Sequence, residues 1–382
     1  MKVLINAASA ERGGIVTYTQ NLISYMLQRG IDVKVAAPSG FTCSDPSVLV
    51  PVRAARYAPL QRVAWEQIVW RRQVKKLRPD VLFSSANFGL LFSPVPQVLL
   101  MREGGLFDRY YLSHSAAAQG VRIMAKRYFR RRMMLLSMKH ADHIITPSVA
   151  MRDNLLQWAP EVAEKSSTNF YGARHDLFTE PATDKPWRKD GTLRLLYVSV
   201  YYPHKCPSML CRAADRLSAG GMPTVSTITM TQEELRITPG AAYDRRVMTR
   251  ALEDGTLTLG HHPYSELPTL YRSHDVFVFP SVSETFGHPM VEAMASGLPI
   301  VAADTAINRE ICGDGAIYFA PFSVEDLSRQ LRRLDDDAEL RRAIAANARR
   351  RVSAEFNWED HVDRLVRVFE TVRRKSGPAR GQ

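Results

Sequence analysis

Two carboxylates separated by seven residues are the groups in this chain whose types and spacing point most directly to chemistry. Glu284 follows the apolar run DVFVFP, which predicts a buried strand, and Glu292 lies within a helix predicted from Pro289 to Ser296. The N–H groups at the start of such a helix, near Gly287 and His288, can bind a diphosphate, and carboxylates can accept hydrogen bonds from sugar or ribose hydroxyls. The spacing therefore predicts a site for a ligand that carries both phosphates and hydroxyls.

The predicted helix carries a single polar stripe on a surface that is otherwise apolar. Because most of its circumference is apolar, we expect the helix to be buried. The stripe consists of residues spaced three or four positions apart, Thr285, His288, Glu292 and Ser296. A carboxylate on a buried helix needs a partner, so Glu292 either binds a ligand or pairs with an arginine; alternatively, the stripe faces solvent.

A second candidate is the glycine pair Gly13–Gly14, which lies between a strand predicted at Lys2–Ala7 and a helix predicted from Ile15. Glycines at this position allow a phosphate or another ligand to approach the backbone, and the following helix offers N–H groups. The pair lacks the spacing of GxGxxG dinucleotide-binding loops, and a plain tight turn explains it equally well.

Strand and helix patterns alternate along the chain, which predicts an α/β fold with parallel sheets and crossover helices. The 382 residues suit two domains, and the polar, Pro- and Gly-rich residues 172–192 precede a new strand. We therefore predict two doubly wound domains, residues 1–175 and 190–357. Ligands bind beyond the carboxyl ends of strands in such sheets, so the predicted site lies in a cleft between the two domains.

Composition excludes several classes of protein. With 45% apolar residues the chain is able to bury a large core, and no apolar run reaches the roughly 18–20 residues that a membrane span needs. The N-terminal residues predict a strand and its loop rather than a signal peptide. Four cysteines lack the CxxC spacing of zinc sites and are predicted to be reduced thiols: Cys43, Cys206, Cys211 and Cys312. We therefore expect a cytosolic protein without a metal site.

Basic residues, which give a formal net charge of +12, cluster at 71–78, 126–132, 341–351 and 372–380. Solvated helix faces explain most of these clusters. Residues 122–138 differ, because arginines and lysines alternate there with aromatic and aliphatic residues. This pattern is typical of a basic helix on an anionic membrane surface, and equally of an amphipathic helix that packs on its own domain. No nucleic-acid-binding module is recognisable, so we do not expect nucleic acid as a partner.

Residues 281–300 resemble the donor-site signature of the family 4 retaining glycosyltransferases, S-x-x-E-x-F-G-x-x-x-x-E-A-M-A-x-G-x-P-V. The resemblance extends over most of the chain. It includes RGGIVTYTQNL, ADHIITPSVAMRDNL, NFYGARHDLF, LRLLYVSVYYPHK, ELPTLYRSHDVFVFPS and FNWEDHVDRLVRVFE. It implies the GT-B fold, in which two Rossmann-like domains face each other across a cleft. The first domain then lies on the acceptor side, the second binds the nucleotide sugar, and a closing helix, here 358–376, packs back on the first.

The resemblance also implies roles for individual side chains. Glu284 would contact the transferred sugar, and Glu292 would contact the ribose hydroxyls of the nucleotide. Lys205 matches the family's phosphate-binding lysine, whose ammonium offsets the charge that develops on the leaving diphosphate.

Backbone groups around the donor are implied in the same way. N–H groups of the segment before the helix would bind the phosphates and the sugar, and the N-terminal glycine loop would approach the donor. The donor-binding residues implied are Phe286, Gly287, His288, Gly13 and Gly14.

Two positions depart from the family pattern. Where the family has an Arg in a G-R-L sequence, this chain has Ser199–Val200–Tyr201, so one phosphate cation is missing unless His204 or another basic residue replaces it. Where the family often has a His after a strand of the first domain, this chain has Arg102 and Glu103. Arg102 is a permanent cation that faces the phosphates or an acidic acceptor, or else pairs with Glu103 or another carboxylate. We keep Arg102 as a catalytic candidate.

The combined prediction is the transfer of a hexose from a nucleotide sugar to a hydroxyl of a glycan or lipid-linked glycan in bacterial surface polysaccharide synthesis. The anomeric configuration would be retained, and neither a metal ion nor another cofactor would take part. The expected location is the cytoplasm, with contact at the inner membrane face through residues 122–138. Two alternatives stay open: a sugar epimerase or phosphorylase on the same fold, and a non-catalytic nucleotide-sugar-binding scaffold subunit.

Overall fold

A computed structural model of the chain describes residues 1–11, 14–54, 57–116, 120–179 and 186–377. The chain divides into two compact units. Unit 1 comprises Met1–Phe107, Ala125–Gly172 and the chain from Trp358 onward, and unit 2 comprises Asp108–Met124 and Ala173–Asn357. Unit 2 therefore includes a short segment from the N-terminal half of the sequence.

Each unit is built on a sheet of parallel strands. In the described residues the strands are β1 Lys2–Asn6, β2 Asp32–Pro38, β3 Leu49–Val52, β4 Val81–Ser84, β5 Gln97–Leu100, β6 His143–Thr146, β7 Ser166–Thr168, β8 Leu193–Tyr197, β9 Thr224–Ile228, β10 Leu257–Leu259, β11 Val276–Phe279, β12 Ile300–Ala303 and β13 Ile317–Phe319. The sheet of unit 1 has the order β3-β2-β1-β4-β5-β6-β7, and that of unit 2 the order β10-β9-β8-β11-β12-β13. In each sheet the strand order changes direction next to the strand that comes first in the chain. This point lies between β1 and β4 in unit 1 and between β8 and β11 in unit 2. This is the switch point at which doubly wound sheets bind ligands.

Helices connect the strands. In the described residues they are α1 Gly14–Gln28, α2 Pro59–Trp65, α3 Arg71–Leu77, α4 Arg109–Tyr111, α5 Val121–His140, α6 Val149–Leu156, α7 Ser208–Ala219, α8 Gln232–Ile237, α9 Ala242–Glu253, α10 Leu267–Ser273, α11 His288–Ala295, α12 Ala306–Cys312, α13 Val324–Asp336, α14 Ala338–Glu355 and α15 Trp358–Ser376. A π-helical turn at Glu66–Trp70 joins α2 to α3, and another at Leu112–Ala116 follows α4. This arrangement confirms the predicted α/β class.

The central strands form because their residues are apolar throughout. All four residues of β11, VFVF, are buried, as are all four residues of β4 and of β5. Strands covered by helices on both faces have this continuous apolar pattern. In unit 1, α15 completes the cover of the sheet: the Phe369 ring lies 5.4 Å from the Phe83 ring, and the Trp358 ring stacks on Tyr25 at 5.9 Å.

The described part of the chain contains no helix with the length and apolar character required to cross a bilayer. The four cysteines are all free thiols.

Candidate active site

Two loops of unit 2 leave adjacent parallel strands on either side of the switch point. Lys205 belongs to the loop after β8, and Glu284 to the loop after β11. The Lys205 ammonium donates to Glu284 Oε1, and the two side chains are only 13% and 10% exposed. A cation and a carboxylate that are predicted to serve one ligand therefore lie in contact at the carboxyl ends of the strands.

The two loops are also joined through their backbones. The N–H group of Val282 donates to the carbonyl of His204 at 3.0 Å, and the Ser281 hydroxyl donates to the same carbonyl at 3.3 Å. From the underlying strand, the Tyr197 hydroxyl donates to the carbonyl of Lys205 at 3.1 Å. These bonds to neighbouring backbone groups restrict the position from which the Lys205 side chain extends.

A buried carboxylate holds both ends of the Lys205 loop. Asp244, in α9, accepts hydrogen bonds from the Tyr201 hydroxyl at 2.8 Å and from the Ser208 hydroxyl at 2.5 Å. Burial raises the pKa of the Asp244 carboxyl, and the two hydroxyl donors oppose that shift. Tyr201 is one of the residues at the departure from G-R-L, so in this chain it has a structural role that its sequence position did not indicate.

The loop after β11 ends at a glycine that the geometry requires. Gly287 precedes α11 with φ of +84°, and a Cβ at this position would overlap the Cε atom of Met290. The left-handed conformation and the close contact together exclude any larger residue without rearrangement. Because α11 spans His288–Ala295, Thr285 precedes the helix and Ser296 follows it as the C-cap, so only His288 and Glu292 of the predicted stripe lie on the helix itself.

Phe286 anchors this loop in the core of unit 2. Its side chain is 1% exposed, lies edge-on to Phe356 at 5.5 Å, and lies 5.2 Å from the ring of His288. The aromatic ring is thus a packing element, and the donor-binding role predicted for Phe286 concerns its backbone alone.

Glu292 occupies the buried helix that the sequence predicted, and its partners are two tyrosines rather than an arginine. The Tyr271 hydroxyl donates to Glu292 Oε2 at 2.9 Å, and the Tyr264 hydroxyl also hydrogen-bonds the carboxylate. Burial raises the Glu292 pKa from 4.5 to about 7, although both hydroxyl donors act to lower it. Glu292 therefore changes charge near neutral pH.

In unit 1, Arg102 lies two residues after the carboxyl end of β5. Its guanidinium lies 4.8 Å from the centroid of the Tyr18 ring and 5.6 Å from that of Tyr171. A Cβ at Gly14 would lie 4.0 Å from Arg102 Nη2, so this cation is close to the start of α1. Glu103, one of the partners predicted for Arg102, pairs with Arg130 at 2.7 Å.

The structure places the predicted residues in two groups, one in each unit. Lys205, Glu284, Phe286, Gly287, His288 and Glu292 belong to unit 2, and Gly14 and Arg102 belong to unit 1. Gly13 lies outside the described residues. Tyr264, Tyr271 and Asp244 were not predicted from the sequence. The two tyrosines are seven residues apart, a spacing that brings side chains to one side of a helical segment, whereas nothing near Asp244 in the sequence signals its role.

Two family models match the chain. Residues 180–351 match the model for glycosyl transferases group 1, and residues 12–165 match the model for glycosyltransferase family 4. Over 127 residues the chain is 31% identical to the O-antigen chain mannosyltransferase B of Escherichia coli, an alignment that covers 33% of this chain and 33% of that protein. The chain spans about a third to a half of the length of the curated relatives that it matches first.

Solved structures resemble the whole chain. Sucrose-phosphate synthase from Thermosynechococcus elongatus has a TM-score of 0.78 at 17% identity, with 98% of this chain and 100% of that chain covered. HepE from Anabaena, solved in complex with UDP and glucose, has a TM-score of 0.73 at 16% identity, with 97% and 100% covered. At these identities the similarity shows a shared fold.

Proposed function

We propose that this chain, which belongs to the family 4 glycosyltransferases and has their GT-B fold, transfers a hexose from a nucleotide sugar to a hydroxyl of a glycan or lipid-linked glycan. The observation that carries the proposal is the contact between Lys205 and Glu284 at the switch point of unit 2. Glu292 follows in the next helix with its carboxylate oriented by two tyrosines. A cation and two acids in this order suit a diphosphate that joins a sugar to a ribose.

In the proposed reaction the bond between the anomeric carbon and the diphosphate oxygen breaks, and its electron pair leaves with the nucleoside diphosphate. The acceptor oxygen bonds the anomeric carbon on the same face of the sugar, so the anomeric configuration is retained. The acceptor proton passes to the leaving phosphate oxygen. No nucleophile from the protein, no metal ion and no other cofactor takes part.

Each side chain of the site has a role in this reaction. Lys205 stabilises the charge that develops on the leaving diphosphate, because an ammonium fixed in a partly buried site interacts strongly with an anion. Glu284 binds the hydroxyls of the transferred sugar, and Glu292 binds the ribose hydroxyls. Backbone groups from Phe286 to His288 contact the phosphates and the sugar.

Three residues of unit 1 complete the proposal. Arg102 is a permanent cation at the end of β5, and we assign it to the donor phosphates or to an acidic acceptor. Gly14 and the preceding Gly13 allow the backbone to approach the donor.

The proposed donor and pathway have independent support. HepE, solved with UDP and glucose, supports a nucleotide-sugar donor. The O-antigen mannosyltransferase supports a role in bacterial surface polysaccharide synthesis. A cytoplasmic location agrees with four cysteines that are free thiols.

The replacement Glu284→Gln tests the proposal. The wild-type chain and the variant are incubated with UDP-, GDP- and dTDP-hexoses and with glycan or lipid-linked acceptors, and release of the nucleoside diphosphate is measured. We expect the variant to lose about a hundredfold in kcat, since the amide cannot replace the charge of the carboxylate in the transition state. NMR of the product tests retention, and we expect the product to have the same anomeric configuration as the donor.

Glu325→Gln is the matched control, because the Glu325 side chain is 79% exposed on α13 of the same unit. An active, folded Glu284→Gln variant would contradict the assignment. Consumption of donor without acceptor would support the sugar epimerase or phosphorylase alternative. Donor binding without turnover for every acceptor would support the scaffold alternative.

A further inference from the structure

The exposed side of α5 carries apolar side chains among basic ones. Within unit 1, Tyr128 is 58% exposed, Phe129 56% and Leu136 37%. The same helix contains no acidic residue and exposes four basic side chains, Lys126, Arg130, Arg132 and Lys139. The opposite side of α5, with Met134 and Met138, is buried in the core of unit 1. The helix therefore packs on its own unit and still presents an apolar, basic face to solvent.

A second element of unit 1 has the same character. Ile68 and Val69, in the π-helical turn before α3, are 53% and 41% exposed. They are followed at once by Arg71 and Arg72, which are also exposed. Single exposed apolar side chains are common on proteins, whereas a contiguous exposed apolar patch indicates a partner.

Phe92 joins the two elements. Its side chain is 63% exposed, and its ring lies 5.0 Å from the ring of His140 at the end of α5. On its other side the Arg71 guanidinium lies 6.0 Å from the centroid of the same ring. Leu136 is one helical turn before His140, so the apolar residues of both helices adjoin one surface. We name this the Phe92 surface, consisting of Ile68, Val69, Arg71, Arg72, Phe92, Lys126, Tyr128, Phe129, Arg132, Leu136 and Lys139.

We propose that the Phe92 surface binds an anionic lipid bilayer. Arginines and lysines bind anionic headgroups, while aromatic and aliphatic side chains between them enter the interface between headgroups and acyl chains. A second copy of the chain fits less well, because a symmetric contact would bring two basic surfaces together. The surface is thus larger than residues 122–138, and Phe92 lies where its two parts meet.

This surface deepens the proposed function, because it would bring unit 1 to the membrane in which a lipid-linked acceptor lies. Its test measures vesicle binding rather than sugar transfer. Failure of the surface and failure of the glycosyltransferase assignment are therefore distinguishable.

The experiment is flotation of the full chain with vesicles of phosphatidylcholine alone or of phosphatidylcholine with phosphatidylglycerol, at low and high salt. We expect binding to the anionic vesicles only, with a lower bound fraction at high salt because the headgroup attraction is screened. Phe92→Ser and Phe129→Ser should each lower the bound fraction severalfold. Ile237→Ser is the control, because Ile237 is 61% exposed in unit 2, outside the Phe92 surface.

A charge-reversal pair isolates the electrostatic part. We expect Arg72→Glu with Arg132→Glu to reduce anionic-vesicle binding by about tenfold or more. Arg245→Glu with Arg246→Glu changes the net charge by the same amount in α9 of unit 2 and should bind like the wild type. Any of three results overturns the proposal: equal binding to both vesicle types, no binding at low salt, or binding that survives both serine replacements. A dimer in light scattering that Phe129→Ser abolishes overturns it in favour of a second copy as the partner.

Discussion

At the scale of single residues, Glu292 has the most informative environment in the described part of the chain. Two tyrosine hydroxyls hydrogen-bond its carboxylate, yet burial raises its pKa to about 7. Burial disfavours the charged form more than two neutral donors favour it. A ribose diol that donates two further hydrogen bonds would favour the ionised form, so donor binding and deprotonation of Glu292 should be coupled.

This coupling predicts a pH-dependent affinity for the donor. Below pH 7 the carboxyl of Glu292 is protonated and one of its oxygens becomes a donor, so the dissociation constant for a nucleotide sugar should rise as the pH falls from 8 to 6. In Glu292→Gln the affinity should be weaker at pH 8 and nearly independent of pH. Calorimetric titration with an intact nucleotide sugar measures this, because its phosphodiester groups do not titrate in the range. Glu325→Gln should keep the wild-type pH profile, and a pH-independent wild type would exclude Glu292 as the ribose ligand.

At the scale of elements, the position of Lys205 depends on the loop between β8 and α7. Asp244 accepts from Tyr201, which precedes Lys205 in that loop, and from Ser208, which is the first residue of α7. An amide at this position offers one acceptor oxygen and an NH2 donor, so one of the two hydroxyls would have to accept instead of donate and would lose its carboxylate partner. We therefore regard Asp244 as a positioning residue that acts through Lys205.

Asp244→Asn should lower kcat/KM for transfer and reduce the free energy of unfolding by about 1–3 kcal/mol, because it weakens the buried hydrogen bonds to a carboxylate. The discriminating measurement is a double-mutant cycle with Lys205→Ala. If Asp244 acts through Lys205, Asp244→Asn should cost little further activity in the Lys205→Ala background. If the two replacements lower the activity by fully additive amounts, the effect of Asp244 on activity does not pass through Lys205. Asp215→Asn, on the neighbouring α7, is the control for a general loss of stability.

Gly287 provides a second prediction at this scale. Gly287→Ala should destabilise unit 2 by more than the roughly 1–2 kcal/mol that a left-handed conformation costs an alanine, because the new Cβ also overlaps Met290. Gly255→Ala is a matched control, since Gly255 has φ of +71° with no atom within 4 Å of its added Cβ. Unfolding by urea should rank the wild type first, Gly255→Ala second and Gly287→Ala third. Equal losses in the two variants would show that Met290 adjusts without cost.

Elements differ in how far the sequence predicts them. The run DVFVFP predicted a buried strand, and β11 forms there because a short, uninterrupted apolar run is typical of a central parallel strand. β3 and β7 were not predicted, since edge strands need no such run: β3 contains Pro51 and β7 is the polar sequence SST.

The site divides in the same way. Glu284, Lys205 and Glu292 follow from spacing and from a family signature, and the structure places the first two in contact. The tyrosine partners of Glu292 and the contact of Arg102 with Tyr18 depend on tertiary packing between distant segments, which no local pattern encodes.

At the scale of the whole molecule, the first six strands of unit 1 have the same order as the six strands of unit 2, and in unit 2 the predicted donor ligands come from loops on both sides of its switch point. A ligand that contacts the loop after β8, the loop after β11 and helix α11 joins segments that are distant in sequence. Donor binding should therefore stabilise unit 2 as a folded body and affect unit 1 less.

This predicts a selective thermal shift. At a concentration one hundred times its dissociation constant, the cognate nucleotide sugar should stabilise the folded form by about 2.7 kcal/mol, while nucleotides with the wrong base should have little effect. Hydrogen exchange should locate the added protection in β8, β11 and α11. Glu284→Gln and Lys205→Ala should show a smaller thermal shift than the wild type at the same concentration, and Ile237→Ser should show the same shift as the wild type.

Since Lys205 supplies the fixed positive charge beside Glu284, we expect the thermal shift and the transfer activity to persist in EDTA. Loss of either in EDTA, with recovery on adding Mg²⁺, would contradict the metal-independent mechanism while leaving the donor site intact.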